Sequence, residues 1–420
     1  MGGSGVQRPF KFAKYLREFG WNPIILCPES GAYHTFDNSL AEELDELELV
    51  VHRVKGNTPF HKLGGSPKKV NFPNWLESLL RKVSTFFWLP DNKKAWIDPA
   101  FKKAQEIIAE TNIDLVFSTA PPYSSLMLAA KIKHKFGIPV VMDMRDDWLH
   151  SHLNNYPTSF HFNKMKKLEA DTLEVADSLI TVNDNILEGI RDRFPKFNST
   201  NSVKITHGFD PQDFKIELKE TEIDQKISFL YSGIFYEDST PKIFLKAMQE
   251  LMEERVQLKY IIELRFQGKL RSEDKKLIKE LGLDDVVKDL GYVNHRKAVD
   301  NLLEANILWL NIGQKNQSDK ISLGKTAEYF ATKKPILGLV PSGEAKKLLL
   351  NYKGSYIADP YSVNEVKKQI VQIIDDVNTE NLREPDKLFI QRFDMLTLTK
   401  DLSNLFHTSI MNSELQNKEE

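Results

Sequence analysis

Cysteine is nearly missing from this chain: Cys27 is the single one in 420 residues. That excludes a disulfide framework and any cysteine-built zinc site. Long apolar runs are missing as well, and none approaches the roughly eighteen residues needed to span a bilayer. Neither sign of charge dominates, since 57 Lys and Arg stand against 59 Asp and Glu; no global field recruits nucleic acid. A hydrophobic content of 41% excludes wholesale disorder. The opening residues Met1-Gly2-Gly3-Ser4-Gly5 carry neither the basic nor the apolar region of a signal peptide. The expectation is a cytoplasmic chain of two to three domains, at roughly 100–200 residues per domain.

What is present is a repeated alternation. Short apolar, β-rich runs (Pro23–Pro28, Ile113–Ser118, Ile138–Asp143, Ser178–Val182) are separated by helical periodicity. The helix Ser124–Phe136 is expected to close at Gly137, a residue suited to a left-handed C-cap. Continuous apolar strands alternating with helices imply α/β architecture, a parallel sheet covered on both faces with ligands at the strands' carboxyl ends. Val203–Ile205 ends this series. A second opens at Ile227–Gly233 and continues through Leu264–Gly268, Val286–Gly291, Ile307–Leu310 and Pro335–Val340. The boundary falls near residues 206–226, which are charged and poor in apolar side chains. Met395–Phe406 is an amphipathic stretch able to pack back on the first domain, and the polar tail Asn412–Glu420 is expected to fray.

A glycine-rich loop that cradles a ligand normally follows a strand and precedes a helix. Here Gly2-Gly3-Ser4-Gly5 leads into the helical pattern Phe10–Phe19, but no strand comes before it. The first sheet therefore lacks its first strand, which in doubly wound order lies in the middle. This predicts that Met1 is an internal methionine of a longer protein; a true start with a disordered glycine tip is the other reading.

Five motifs occur in order: Gly2-Gly3-Ser4-Gly5-Val6-Gln7-Arg8-Pro9, Ser118-Thr119-Ala120-Pro121-Pro122-Tyr123, Asp143-Met144-Arg145-Asp146-Asp147-Trp148, His207-Gly208-Phe209-Asp210 and Gly324-Lys325-Thr326-Ala327-Glu328-Tyr329-Phe330. Together they resemble the family 4-like glycosyltransferases of the GT-B fold, in the group that builds surface polysaccharides. The resemblance implies two Rossmann-like doubly wound domains facing a cleft. Residues 1–206 would bind the acceptor, 207–392 would bind the nucleotide-sugar, and 393–420 would form a helix crossing back to the first domain. It also implies transfer with retention of anomeric configuration, to a saccharide or polyprenyl-linked acceptor.

Within that frame Gly3 and Gly5 let the backbone approach a donor phosphate or sugar. Asp143, Arg145, Asp146 and Asp147 follow a strand, where they can orient an acceptor hydroxyl, support general-base chemistry or form an ion-pair network. Arg145 stands roughly where relatives carry a cleft histidine. Asp146 is assigned to face the acceptor together with Arg8 and Tyr123, and a structural role for Asp143 stays open. Gly233 resembles the diphosphate-side loop, but Glu237 and Asp238 follow where relatives carry basic residues, with Lys242 next. Lys325 and Glu328 lie one helical turn apart on one face. Glu328 resembles the second glutamate of the family's Glu-x7-Glu pair and would hold ribose hydroxyls, while Lys320 replaces the first. Lys325 would neutralise the leaving diphosphate; a solvated surface ion pair is the plainer reading. Gly268 and Gly291 mark strand-end turns. The catalytic candidates are thus Asp146, Arg145 and Lys325. His150 and His152 lack a third ligand nearby, so no metal and no cofactor are expected; the nucleotide-sugar is a substrate.

Residues 60–104 are distinctive. Nine Lys and Arg stand against Glu77, Asp91 and Asp98, and three of the six tryptophans (Trp75, Trp88, Trp96) fall here. Basic residues interleaved with aromatics suit peripheral contact with an anionic membrane carrying a lipid-linked acceptor. A core-facing stripe with a solvated basic side explains the same pattern. A non-catalytic nucleotide-sugar-binding or scaffold protein of a polysaccharide assembly is the alternative to the enzyme.

Overall fold

The computed structural model describes residues 4–29, 39–56, 89–151, 156–215, 226–235, 239–313 and 324–419. They belong to two compact units, one of residues 1–206 with 398–420 and one of 207–397.

The first unit is built from β1 (Ile24–Pro28), β2 (Val50–Val54), β3 (Val116–Ala120), β4 (Val140–Met144), β5 (Ser178–Thr181) and β6 (Ser202–Lys204). Its helices are α1 (Gln7–Leu16), α2 (Ser39–Glu46), α3 (Ile97–Glu110), α4 (Ser124–Phe136), α5 (Ser159–Leu173) and α6 (Asp184–Arg193). All pairings are parallel, and the strands fall into two sheets, β1-β2 and β3-β4-β5-β6. β4 and β5 are buried along their whole length, as continuous apolar strands between helix layers must be. Gly137 takes φ 71 and closes α4 where the sequence places the cap. β2 escaped the sequence reading because His52 and Arg53 interrupt its apolar pattern.

The second unit carries one six-stranded sheet, order β12-β11-β10-β7-β8-β9. Its strands are β7 (Ile227–Ser232), β8 (Ile262–Gln267), β9 (Val287–Gly291), β10 (Ile307–Asn311), β11 (Ile336–Leu339) and β12 (Ser355–Ala358). The helices are α7 (Lys242–Glu254), α8 (Leu258–Ile261), α9 (Ser272–Glu280), α10 (His295–Glu304), α11 (Lys325–Ala331), α12 (Glu344–Tyr352), α13 (Val363–Asn378) and α14 (Lys387–Gln391). Every pairing is again parallel. Strand order reverses between β7 and β10, which makes their carboxyl ends the switch point where open α/β sheets bind ligands.

The last helix, α15 (Met395–Glu419), is one continuous element. It runs through the polar stretch expected to fray, and the first unit resumes at Leu398 inside it. Its inner face carries Leu398, Leu402, Leu405 and Phe406, all buried. Trp21 packs edge-on against Phe406 with centroids 5.2 Å apart, and its Nε1 donates to Ser403 Oγ at 2.9 Å. Among the described residues no helix is long and apolar enough to cross a membrane.

Candidate functional site

In the second unit the site grows from the end of β7. Tyr231 is the last large side chain of that strand, and two residues later Gly233 adopts φ 139, a conformation that penalises any side chain. The turn after β8 presses against it: a Cβ on Gly268 would stand 2.0 Å from the Gly233 carbonyl oxygen. Gly268 is therefore a packing requirement of the loop, beyond generic turn chemistry. Beneath the loop runs a buried polar chain. Gln267 Nε2 donates to Ser232 Oγ at 2.9 Å, and Asn301 Nδ2 donates to Gln267 Oε1 at 2.6 Å.

Lys325 rises from α11 onto this loop. Its Nζ lies 3.8 Å from the centroid of the Tyr231 ring and 3.4 Å from where a Gly233 side chain would begin. Phe235 stacks on Tyr231 at 4.1 Å and 9°, so the ammonium must take the opposite face. The residue keeps some solvent contact while protein surrounds it on most sides. Desolvation pulls its pKa down to about 7. Among the described residues it pairs with no carboxylate.

Tyr329, one helical turn on from Lys325, is fully buried. Its hydroxyl accepts from the Ser232 N–H at 2.9 Å and donates to the Trp309 carbonyl at 3.2 Å, tying α11 to the ends of β7 and β10. Burial raises its pKa, so the phenol stays a donor. Glu328 is half-buried, with Oε1 3.9 Å from His295 Nδ1, and His295 Nε2 stands 3.0 Å from Asp213 Oδ2. His207 of the His-Gly-Phe-Asp motif lies beside Gly324, its ring 3.8 Å from the Cβ position there. Lys242 is exposed at the start of α7. Gly3, Lys320, Glu237, Asp238 and His152 lie outside the described residues.

In the first unit the candidates gather at the carboxyl ends of β3 and β4, in two groups of different character. Arg8 and Asp143 are buried and face each other in a two-pronged pair, with Nε–Oδ2 and Nη2–Oδ1 both 3.0 Å. Arg8 also donates to the carbonyls of Ile205 and Thr206, at 2.9 and 2.5 Å, and Thr119 Oγ1 donates to Asp143 at 2.8 Å. Burial alone would push the Asp143 carboxyl upward, but the Arg8 charge and hydrogen bonds outweigh it and hold the pKa below its ordinary value. The guanidinium assigned to an acceptor is thus engaged within the fold. Arg145 is half-buried and holds three carbonyls: Nη1 reaches Gly5 O at 2.8 Å, Nε reaches Ala120 O at 3.1 Å and Nη2 reaches Pro121 O at 2.5 Å.

Asp146 and Asp147 diverge although adjacent. Asp147 is buried against Arg193, with Nη2–Oδ1 2.8 Å, and Arg193 also reaches Glu169 at 3.0 Å, an ion-pair network of the interior. Asp146 is half-buried, close to the Arg145 charge and to the Tyr123 phenol. Tyr123 is buried and stacks on Trp148 at 4.7 Å, and its pKa is pushed well up by burial and then by Asp146 and Asp147. Further back, Trp96 is 5% exposed and its Nε1 donates to Val54 O at 3.2 Å, so this tryptophan belongs to the core and not to a membrane face. Ile97, Ala100 and Ala104 of α3 pack inward beside it. Trp75, Trp88 and the remaining residues of 57–88 lie outside the described residues.

Among the described residues no group of three or more His, Cys, Asp or Glu could hold a metal ion. Sequence reasoning missed Tyr231 and Tyr329, which sat inside quoted runs without a role. His295 and Asp213 belong to no motif and had no signal.

No curated protein matches the chain in sequence. Residues 77–322 match the family described as UxaC, glucuronate isomerase. That match runs across the boundary between the units, leaving out β1 and β2 of one and β11 and β12 of the other. It follows no folding unit of this chain, and the chain is not placed in that family. Solved structures match nearly end to end. Anabaena Alr3699/HepE, in complex with UDP-glucose, is 14% identical with a TM-score of 0.63, covering 96% of each chain. A glycosyltransferase from Rickettsia africae is 17% identical with a TM-score of 0.63, over 97% of this chain and 96% of that one. Sucrose-phosphate synthase from Thermosynechococcus elongatus is 14% identical with a TM-score of 0.62, over 97% and 93%. At such identity the likeness is one of fold, and that fold is GT-B.

Proposed function

We propose that this protein is a glycosyltransferase that moves a sugar from a nucleotide donor to a hydroxyl of a saccharide or lipid-linked acceptor. One observation carries the reading. The Lys325 ammonium sits at the switch point of the second sheet, beside a glycine turn and an aromatic face, with no carboxylate among the described residues to neutralise it. A cation kept in that state favours an anionic ligand, and a nucleoside diphosphate gains charge as its bond to the sugar breaks. Glu328 accepts the ribose hydroxyls one helical turn away. A uridine nucleotide is the first donor to test, given the UDP-glucose held by HepE.

The acceptor hydroxyl is oriented by Asp146 and Tyr123 in the first unit, with Arg145 fixing the Gly5 and Pro121 backbone around it. The reaction breaks the bond from the anomeric carbon to the diphosphate oxygen and forms one to the acceptor oxygen on the same face. The acceptor proton goes to the departing phosphate oxygen. Lys325 stabilises that charge in place of a divalent metal, so transfer proceeds in EDTA. The product is a cell-surface polysaccharide made at the cytoplasmic face of a membrane, where the basic residues of 60–104 contact anionic lipid.

The test is thermal stabilisation across UDP, GDP, ADP and CMP, followed by sugar transfer from the matching donor. About 100 Kd of the right nucleotide adds about 2.7 kcal/mol of stability. Stabilisation by one nucleoside diphosphate, lost in Lys325→Ala, is the expected result. No stabilisation by any nucleotide overturns the donor site. Stabilisation without transfer to any acceptor favours a binding or scaffold protein.

A further inference from the structure

In the second unit a histidine stands between two carboxylates, one of them on the helix that carries Lys325. His295 is the first residue of α10, so its ring starts from the carboxyl end of β9; Asn294 caps that helix by accepting from the Lys297 N–H at 2.9 Å. The end of β9 is tied to the loop under Lys325. The Gly268 N–H donates to the Gly291 carbonyl at 2.8 Å, and Gly268 is the residue that presses on Gly233. From α11, Lys325 reaches over Gly233 while Glu328, one helical turn on, approaches His295. A ligand whose phosphate meets Lys325 therefore carries its next unit towards Glu328 and His295. His295 Nε2 stands 3.0 Å from Asp213 Oδ2, within hydrogen-bond reach, whereas Nδ1 stands 3.9 Å from Glu328 Oε1, too far for a direct bond. Polar atoms separated by such a gap suit a bridging oxygen, placed about 2.8 Å from each at the apex of a triangle. Both side chains can be reached, being 17% and 27% exposed. The ring cannot turn away without giving up Asp213, which sits in the short turn Pro211–Phe214 capped by Asp210.

We propose that His295 is a specificity-determining residue of the donor site: with Glu328 it holds one ribose hydroxyl, and so selects ribonucleotides over deoxyribonucleotides. The proposal rests on Lys325 and Glu328 being the donor site. Hydrogen-bond balance assigns each partner its part. A carboxylate only accepts, so the hydroxyl donates its one hydrogen to Glu328 Oε1. The hydroxyl oxygen then accepts from His295 Nδ1–H, while Nε2–H donates to Asp213. Both ring nitrogens carry hydrogen, the imidazolium form that carboxylates on either side favour. Glutamate alone asks only for a donor; the histidine asks the same atom to accept as well, and a hydroxyl does both. A deoxyribose puts a hydrogen atom there, and polar groups covered by such a ligand lose their partner.

Isothermal calorimetry tests it on the full chain. UDP, GDP, ADP and CDP are compared first, and the one that binds is followed with its 2′-deoxy and 3′-deoxy forms. The parent protein is expected to bind one deoxy form at least about tenfold more weakly than the ribonucleotide. His295→Phe keeps a ring of similar size without its nitrogens. It should weaken the ribonucleotide by at least about fivefold and leave that deoxynucleotide within about twofold. His295→Asn places an amide N–H near the Nδ1 position and should keep more of the preference. In Glu328→Ala a smaller preference should remain, and adding His295→Phe should remove it. Equal affinity of the parent for all three sugars overturns the proposal and leaves the donor site standing. So does an equal loss of ribonucleotide and deoxynucleotide in His295→Phe, the mark of a purely structural residue. No effect of His295→Phe in the Glu328→Ala protein also overturns it, because the histidine then acts only by supporting Glu328. Failure of every nucleoside diphosphate to bind overturns the donor site itself, and this proposal with it.

Discussion

Lys325 lies on the face of the Tyr231 ring, its Nζ 3.8 Å from the centroid. The ring supplies a quadrupole but no counter-charge, worth about 0.5–2 kcal/mol, less than ion pairing in such a place. The ammonium therefore loses its proton easily, with a pKa near 7 set by desolvation. A bound diphosphate reverses that by stabilising the charged form.

Nucleotide binding should consequently take up protons. Above about pH 7 the free protein holds Lys325 increasingly neutral. Affinity for a nucleoside diphosphate should then fall as pH rises from 7, approaching tenfold per unit until the pKa of the complex is reached. Isothermal calorimetry at pH 8 in buffers of different ionisation enthalpy should read an uptake approaching one proton. An uptake unchanged in Lys325→Met would remove this lysine from the site.

The same substitution should stabilise the free protein. Lys325 has a folded pKa below its unfolded value of 10.5, so the unfolded chain binds more protons and stability rises with pH between about 7 and 10.5. Lys325→Met removes that penalty, by about 1 kcal/mol near pH 7 once solvent screening is allowed for, and the gain should fade towards pH 10. Urea denaturation at two pH values measures it. A loss of stability at pH 7 would mean that the ammonium is satisfied in the fold.

Tyr329→Phe removes one oxygen and strands two backbone groups, the Ser232 N–H and the Trp309 carbonyl. A cost of about 1–3 kcal/mol is expected. Because Ser232 adjoins Gly233, nucleotide affinity should also drop by more than the stability loss explains. Binding measured well below the melting temperature separates the two effects.

Asp143 and Asp146 should separate structure from chemistry. Asp143→Asn leaves the buried Arg8 guanidinium uncompensated and should cost about 3–5 kcal/mol at neutral pH. Since the Asp143 pKa is depressed, its contribution is present above the unfolded value of 3.8 and disappears as pH falls through the folded one. The gap to the parent protein should close in acid. Asp146→Asn, at a half-buried position, should change stability by under about 1 kcal/mol and lower transfer at least about tenfold. Unchanged transfer would take Asp146 out of the acceptor's reach.

The alternation of apolar runs with helices made the strand ladder legible because a parallel sheet buries both faces and leaves a continuous hydrophobic trace. β2, with His52 and Arg53, and β12, with Ser355, lack that trace. Lys325 and Glu328 could be paired from spacing alone, since one helical turn fixes a shared face. What spacing cannot reveal is which charge a distant residue cancels. Arg8 and Asp143 are 135 positions apart, and only folding shows that they consume each other. Adjacent carboxylates mislead in the same way. Asp146 and Asp147 look equivalent in sequence, yet Arg193 engages Asp147, from 46 positions away.

The first unit takes its last helix from the far end of the chain. Trp21 waits on Phe406 and Ser403, and Ser178 Oγ lies 2.7 Å from Ser409 Oγ. During synthesis, residues 207–397 leave the ribosome before these partners exist. The second unit can close while the first still exposes the surface that α15 will cover. A ribosome that stalls before Ser403 is made thus leaves a chain with one finished half and one unfinished half, an open invitation to chaperones and proteases.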